Sequence, residues 1–387
     1  MGSAFMKRVF MNRHKIGLIF FCLFLFSNPL SNAVDYLFLT LSFLTCLTRE
    51  NLSILKKGIL PYALFLFGSA VLSGIAAADK ELWLRWTSTY LEYAIVIFVT
   101  YCIVKSKRDV IFSFLALTCS SLPITIYAFF FQWLKGKEVV GSFHYYTAYS
   151  AYQALALIAP FILAVYNYKK KSFYFWFAIY LFEFFVLYIS SARGSFISSI
   201  IGLCLFMILI FRRKGLIAAA IIFVAGLLAP IKRNVGITNF LDLLNFTYTA
   251  NHERIMFWKV AIFKIFPLSP IIGVGAGHFA YHYRYLNPKD PLANSVAHAH
   301  DTFIQVLTDM GIVGLICLLT LLYQYYKQTI NLLKNSKGFQ WALCAVLVTF
   351  MTGYWLGEGL TGNMFYGRMQ MEILAYFMTL STIKLTD

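Results

Sequence analysis

Residues 195–231 read Ser195-Phe-Ile-Ser-Ser-Ile-Ile-Gly-Leu-Cys-Leu-Phe-Met-Ile-Leu-Ile-Phe211, then Arg212-Arg213-Lys214, then Gly215-Leu-Ile-Ala-Ala-Ala-Ile-Ile-Phe-Val-Ala-Gly-Leu-Leu-Ala-Pro-Ile231. Two apolar runs without a charge flank a cationic triplet. Neither run alternates polar and apolar positions as a half-buried soluble element does. Each approaches the roughly 20 apolar residues that a helix needs to cross a bilayer. A short Lys/Arg loop between two spans marks the cytoplasmic side. The stretch therefore reads as a hairpin of membrane helices with its turn in the cytoplasm.

The same pattern repeats in both directions. We read spans at 16–30, 33–48, 58–78, 86–104, 110–132, 147–167, 173–190, 195–211, 215–231, 302–326, 339–357 and 368–384. The first two form a hairpin across Ser27-Asn28-Pro29, which argues against a cleaved leader. Alternate loops carry the basic residues: Lys7, Arg8, Arg13 and Lys15; Arg49, Lys56 and Lys57; Lys105, Lys107 and Arg108; Lys169, Lys170 and Lys171; Arg212, Arg213 and Lys214; Lys327, Lys334 and Lys337; and Lys384. The alternation never breaks, so both termini are expected in the cytoplasm and the long segment 232–300, between the ninth and tenth spans, on the opposite side. The expected fold is an all-α polytopic membrane protein of about twelve transmembrane helices, one membrane domain over 1–387.

Composition agrees. Of 387 residues 60% are hydrophobic and 13% charged, against about 25% charged in soluble domains. The net charge of +17 follows from the cytoplasmic loops. No basic stripe lies on a soluble face, which excludes a nucleic-acid binder. All seven cysteines (Cys22, Cys46, Cys102, Cys119, Cys204, Cys317, Cys344) fall in apolar runs, so neither a disulfide framework nor a thiolate metal site is expected.

The chemistry-bearing residues gather on the non-cytoplasmic side. Ser190-Ser191-Ala192-Arg193-Gly194-Ser195 is a tight turn that fixes Arg193 at the membrane boundary. It is either a snorkelling side chain or an accessible cation. Residues 251–266 place Ile255, Trp258, Ala261 and Ile262 at helical spacing, an amphipathic helix with Asn251 as N-cap. Arg254 in its first turn is poorly placed for the helix dipole. An anionic ligand, or a pair with Glu253 or Asp242, relieves that. After Pro267 and Pro270 comes Gly273-Val-Gly275-Ala-Gly277, where backbone can approach a ligand or another helix closely. Ala297-His298-Ala299-His300-Asp301-Thr302 opens a span, with Asp301 as N-cap and His300 just before it. Positive surroundings favour neutral imidazole there, the state a general base needs. His278, His282, His298 and His300 raise the question of a metal, but their spacing matches no zinc motif and no carboxylate cluster accompanies them. Between the last two spans, Glu358 to Arg368 forms another turn. Arg368 faces the same site or anchors its helix. Together these residues describe a cationic, metal-free pocket at the membrane surface, fit for a lipid-linked pyrophosphate.

Glu253-Arg254-x-x-x-Trp258-x-x-Ala261, Pro267-Leu268, the Gly273–Gly277 turn, and His300-Asp301 followed by Gly311-Ile-Val-Gly314 resemble the loop of the O-antigen ligase and polymerase superfamily of bacterial inner-membrane glycosyltransferases. The Ala192-Arg193 turn and Arg368 fall where ligases carry arginines. Asp301 departs from the Asn, Ser or Gln usual after the histidine. The resemblance implies a GT-C-like membrane-embedded fold, a periplasmic loop and active site, and no metal or cofactor. It implies a ligase that moves a polysaccharide from undecaprenyl pyrophosphate to a sugar hydroxyl of lipid A–core, with membrane lipid as its surroundings. Arg193 and Arg254 then grip the pyrophosphate, and His300 activates the acceptor hydroxyl or orients the phosphates. Arg368, His298, Trp258, Gly273, Gly275 and Gly277 are expected to contact substrate. A polymerase using the same donor is the alternative. A transporter or flippase calls for inverted repeats and mid-membrane polar residues, which the sequence does not display.

Overall fold

In a computed structural model, the backbone is described for residues 2–143, 145–228, 230–233, 236–239 and 249–386, and the side chains for 13–143, 145–228 and 251–386. Among the described residues sixteen α-helices follow one another: α1 (Gly2–Ser27), α2 (Asn32–Cys46), α3 (Arg49–Leu52), α4 (Leu60–Ser73), α5 (Lys80–Ile103), α6 (Lys107–Tyr127), α7 (Tyr146–Ala156), α8 (Ile158–Tyr166), α9 (Ser172–Ile189), α10 (Arg193–Phe211), α11 (Arg213–Leu228), α12 (Thr249–Val260), α13 (Phe279–Leu286), α14 (Thr302–Asn335), α15 (Gly338–Thr361) and α16 (Arg368–Leu380). Two short antiparallel strands, β1 (Pro230–Arg233) and β2 (Gly236–Asn239), pair between α11 and α12.

Each of the twelve expected segments contains helix, and a smaller number qualifies as membrane spans by length and composition. Among the described residues seven helical stretches are long and apolar enough to cross a membrane: 80–103, 107–135, 146–166, 172–189, 193–211, 302–335 and 338–361. The bent pair Arg49–Lys56 and Leu60–Ser73, at 76°, makes an eighth if it is one span. The shortfall has local causes. Helices α2, α11 and α16 are short. The 147–167 segment still counts as one span, although its helix is interrupted at Leu157, because Pro160 has no N–H for the carbonyl of Ala156.

Three contacts position the site. Helices α10 and α15 cross at glycines: a β-carbon on Gly353 would fall 2.2 Å from the Ser198 carbonyl oxygen, and one on Gly357 2.2 Å from the Ser198 hydroxyl. Small residues allow this approach, as membrane helix pairs require. Helix α14 is broken at Gly311 (φ 66°, ψ −167°). The freed backbone groups find partners in the glycine turn: Val274 and Gly275 N–H donate to the carbonyls of Thr308 and Asp309, and Ile312 and Val313 N–H donate to those of Pro270 and Ile271. The Asp309 side chain accepts from Gly277 and Phe279 N–H and from Gln305. A third contact is a small core between α12 and α13, built from Phe257, Val260, Ala261, Ile265, Phe279, Tyr283, Val296 and Ala299.

That core corrects the expected amphipathic face. Helix α12 buries Phe257 and Val260, while Ile255 and Trp258 are half-buried and Ile262 is exposed. It starts at Thr249, so Asn251 lies inside its first turn rather than capping it. A π-helical turn, Ala261–Ile265, follows and shifts the register of the apolar positions. Asp242, the alternative partner for Arg254, lies outside the described residues.

Candidate active site

The turn before α10 sets Arg193 as the first helical residue. Ser191 takes a φ of 63°, and Ser190 is tied to Ser150 of α7 by a 2.7 Å hydroxyl contact. Arg193 is thereby buried at 7% exposure. Across the α10–α15 crossing, the Ser195 hydroxyl donates to Glu358 Oε2 at 2.9 Å. Helix α12 brings Arg254 from a second direction. Its Trp258 indole donates to the Ala299 carbonyl at 3.0 Å, so α12 grips the His298–His300 turn by its middle residue. Asp301 caps α14 as expected, accepting from Ile304 N–H at 2.8 Å.

These elements enclose a cavity of about 360 Å³ whose wall includes Arg193, Asn251, Arg254, His298, His300 and Glu358. Aromatic and amide groups close its other side: Tyr145, Tyr146, Tyr366 and Gln370. A stack of rings backs the wall. Tyr366 lies 4.7 Å from His298, His298 lies 4.1 Å from His300, and His300 lies 5.8 Å from Phe257 with the rings 19° from parallel.

Both histidines are held neutral. Burial and the Arg254 charge push the His300 imidazole down to about 4. Burial, His300 and Arg254 lower His298 well below its ordinary value. Burial is the larger cause in each case, ahead of the cationic surroundings inferred from the sequence. His298 Nδ1 accepts the backbone N–H of His300, which leaves the proton of neutral His298 on Nε2.

Of the residues singled out from the sequence, Arg193, Arg254, His298 and His300 come together in this cavity. The other residues expected to contact substrate lie outside its lining. Gly273, Gly275 and Gly277 meet α14, Ala77 and Trp86, not the cavity. A β-carbon on Gly273 would fall 2.3 Å from the Asp309 carbonyl, and one on Gly277 2.0 Å from the Trp86 ring. Their positive φ angles serve that docking. Trp258 holds the histidine turn instead of lining the cavity. Arg368 anchors: its guanidinium bonds Asp35, Glu92 and Glu372 at 2.7–2.9 Å. His278 and His282 also stand apart. His278 is fully buried, its Nε2 accepts Asp79 N–H, and its Nδ1 meets the Ala276 carbonyl. Among the described residues no group of three His, Cys, Asp or Glu is disposed to hold a metal ion. The sequence reading gave Glu358 no role. Its signal was a carboxylate at the end of an apolar run, which is costly there unless it has a task.

Comparison with known proteins supports the loop motifs. Residues 173–319 match a family model described as O-antigen ligase. A Rickettsia conorii protein that bears the provisional name polysaccharide ligase is 28% identical over 176 residues, 42% of each chain. A Rickettsia felis protein of like name is 28% identical over 166 residues, 41% of this chain and 40% of its own. The matched region thus spans about two fifths of the length of these relatives. The family match takes in Arg193, Arg254, His298 and His300, and it is to the O-antigen ligase family that residues 173–319 of this chain are similar, as the loop motifs led us to expect.

Proposed function

We propose that this protein is a glycosyltransferase of the bacterial inner membrane that joins a polysaccharide, donated by undecaprenyl pyrophosphate, to a sugar hydroxyl of lipid A–core at the periplasmic face. The observation that carries the reading is the convergence of two arginines and two neutral imidazoles on one cavity at the ends of apolar helices. Two guanidiniums suit a pyrophosphate, whose oxygens they bind in pairs. The names of the Rickettsia relatives favour a ligase over a polymerase.

In this reaction the acceptor oxygen attacks the anomeric carbon. The bond from that carbon to the pyrophosphate oxygen breaks, and its electron pair leaves with the pyrophosphate. Arg193 and Arg254 stabilise the developing charge, a task that divalent metals perform elsewhere. His300 acts on the phosphates or on the acceptor hydroxyl. Taking the proton of the acceptor hydroxyl needs the neutral ring, whereas holding the phosphates needs only a ring N–H.

A chromosomal deletion followed by gel analysis of lipopolysaccharide tests the reading. Core without O-antigen, with lipid-linked polymer accumulating, is the ligase outcome. Core bearing a single repeat unit is the polymerase outcome. Purified protein is expected to transfer glycan in excess EDTA. Loss of transfer that Mg²⁺ or Mn²⁺ restores would overturn the metal-free mechanism.

A further inference from the structure

We propose that Glu358 is the group that takes the proton from the acceptor hydroxyl. This rests on the glycosyl-transfer reading above.

The carboxylate is built into its place from several sides. Its Oε2 accepts the Ser195 hydroxyl, and its backbone N–H donates to the Ser198 hydroxyl at 2.8 Å. Both serines come from α10. Two glycines leave the room it occupies: a β-carbon on Gly194 would fall 2.9 Å from Oε2, and one on Gly362 2.7 Å from Oε1. The residue is half-buried and opens on the cavity. It stands in the last turn of α15, where the helix dipole disfavours a negative charge. Arg254 acts on it electrostatically. A carboxylate seated this firmly, beside a site for an anionic donor, repels that donor. Two tasks are open to it, balancing the arginines and taking a proton, and the kinetic test below separates them.

The step balances. The acceptor O–H proton passes to the Glu358 carboxylate as the acceptor oxygen bonds the anomeric carbon. The pyrophosphate leaves with the electron pair of the broken bond, and Glu358 later returns its proton to water. His300 is then free to orient the phosphates. Beside Arg254 its ring is no stronger a base than a carboxylate, and a neutral imidazole still donates a hydrogen bond.

The test is steady-state transfer by purified protein from a polyprenyl-pyrophosphate-linked glycan to lipid A–core, for wild type, Glu358→Gln and His300→Ala. Glutamine keeps an acceptor for Ser195 and removes the base. It is expected to lower kcat by at least about 100-fold without raising the donor KM. His300→Ala is expected to raise the donor KM. If Glu358 only balances the arginines, Glu358→Gln keeps kcat within a few-fold of wild type, and that result overturns the proposal. Glu358→Ala assayed with sodium formate gives a second reading. Recovery of rate supports the base role, and a flat response overturns it. An inactive wild type would overturn both the transfer reading and the base. An active wild type with an unimpaired Glu358→Gln overturns the base alone.

Discussion

The backbone N–H of His300 donates to Nδ1 of His298 at 3.1 Å, and the turn that allows this holds His300 at a φ of 55°. A residue with a β-carbon adopts that conformation at a cost and needs support from its surroundings. His298 supplies part of it. His298→Ala is expected to lower transfer by about five- to tenfold, the worth of one hydrogen bond. His298→Asn, whose amide oxygen can accept the same N–H, is expected to recover part of the loss. His300→Ala is expected to lose more than His298→Ala, and mainly through a raised donor KM. Equal losses in His298→Ala and His300→Ala would give both rings the same role.

The His300 imidazole titrates at about 4, below its ordinary 6.5. Between those values the unfolded chain takes up a proton that the native site refuses. The contribution of His300 to stability is therefore complete above pH 6.5 and falls as the pH drops toward 4. The charged and titratable groups that share its cavity are Arg254 and Glu253 of α12, His298, Arg193 of α10 and Glu358 of α15. Arg254→Ala removes one cause of the shift, so the ring is expected to titrate closer to 6.5 in that variant. NMR titration of histidine-labelled protein, with His300 assigned from His300→Asn, measures both. A wild-type value near 6.5 would contradict the structure.

Arg193→Ala and Arg254→Ala are each expected to abolish transfer while the protein still inserts. A lost charge-assisted contact to the leaving group costs about 3–4 kcal/mol of transition-state stabilisation. Lysine is expected to restore only part of it, since it lacks the planar fork. Full activity in Arg254→Ala would remove that residue from the site.

The charge pattern predicts which side the cavity faces. In a protein stripped of native cysteines, Lys289→Cys is expected to label with a membrane-impermeant thiol reagent in spheroplasts. Ser336→Cys is expected to label only after permeabilisation. The reverse pattern would place the cavity in the cytoplasm, out of reach of the proposed donor.

The helices were legible because apolar runs and basic loops are properties of local sequence. Arg193 and Arg254 stood out as candidates because each is a cation where topology or helix dipole disfavours one, and His300 because it directly precedes the N-cap of a span. What could not be read is what depends on partners distant in the chain. The glycine turn looked like a ligand cradle because the break at Gly311 that it fills lies more than thirty residues later. The buried face of α12 depends on α13 and on a π-turn that no periodicity announces. Glu358 gained meaning only beside Ser195, and Arg368 only beside three carboxylates from helices that read as plain spans.

Arg368 provides the sharpest separation between holding the site and acting in it. Its guanidinium joins α2 through Asp35, α5 through Glu92 and its own α16 through Glu372, and it lies over the Tyr36 ring. Asn28 completes the group with hydrogen bonds to Asp35 and Glu372. Tyr366, Gly367 and Gln370, which flank Arg368, line the cavity, so the cluster fixes one wall. Removing the single cation leaves three buried carboxylates facing one another. Breaking a buried pair costs about 3–5 kcal/mol, and Arg368→Met is expected to lower thermal stability and yield accordingly. Replacing a whole ionic group by neutral residues costs far less than breaking it. Adding Asp35→Asn, Glu92→Gln and Glu372→Gln to Arg368→Met is therefore expected to recover both stability and transfer. Stability measured by thermal unfolding in detergent, set beside transfer rate, decides the matter. A quadruple variant that is stable yet inactive would return Arg368 to the substrate.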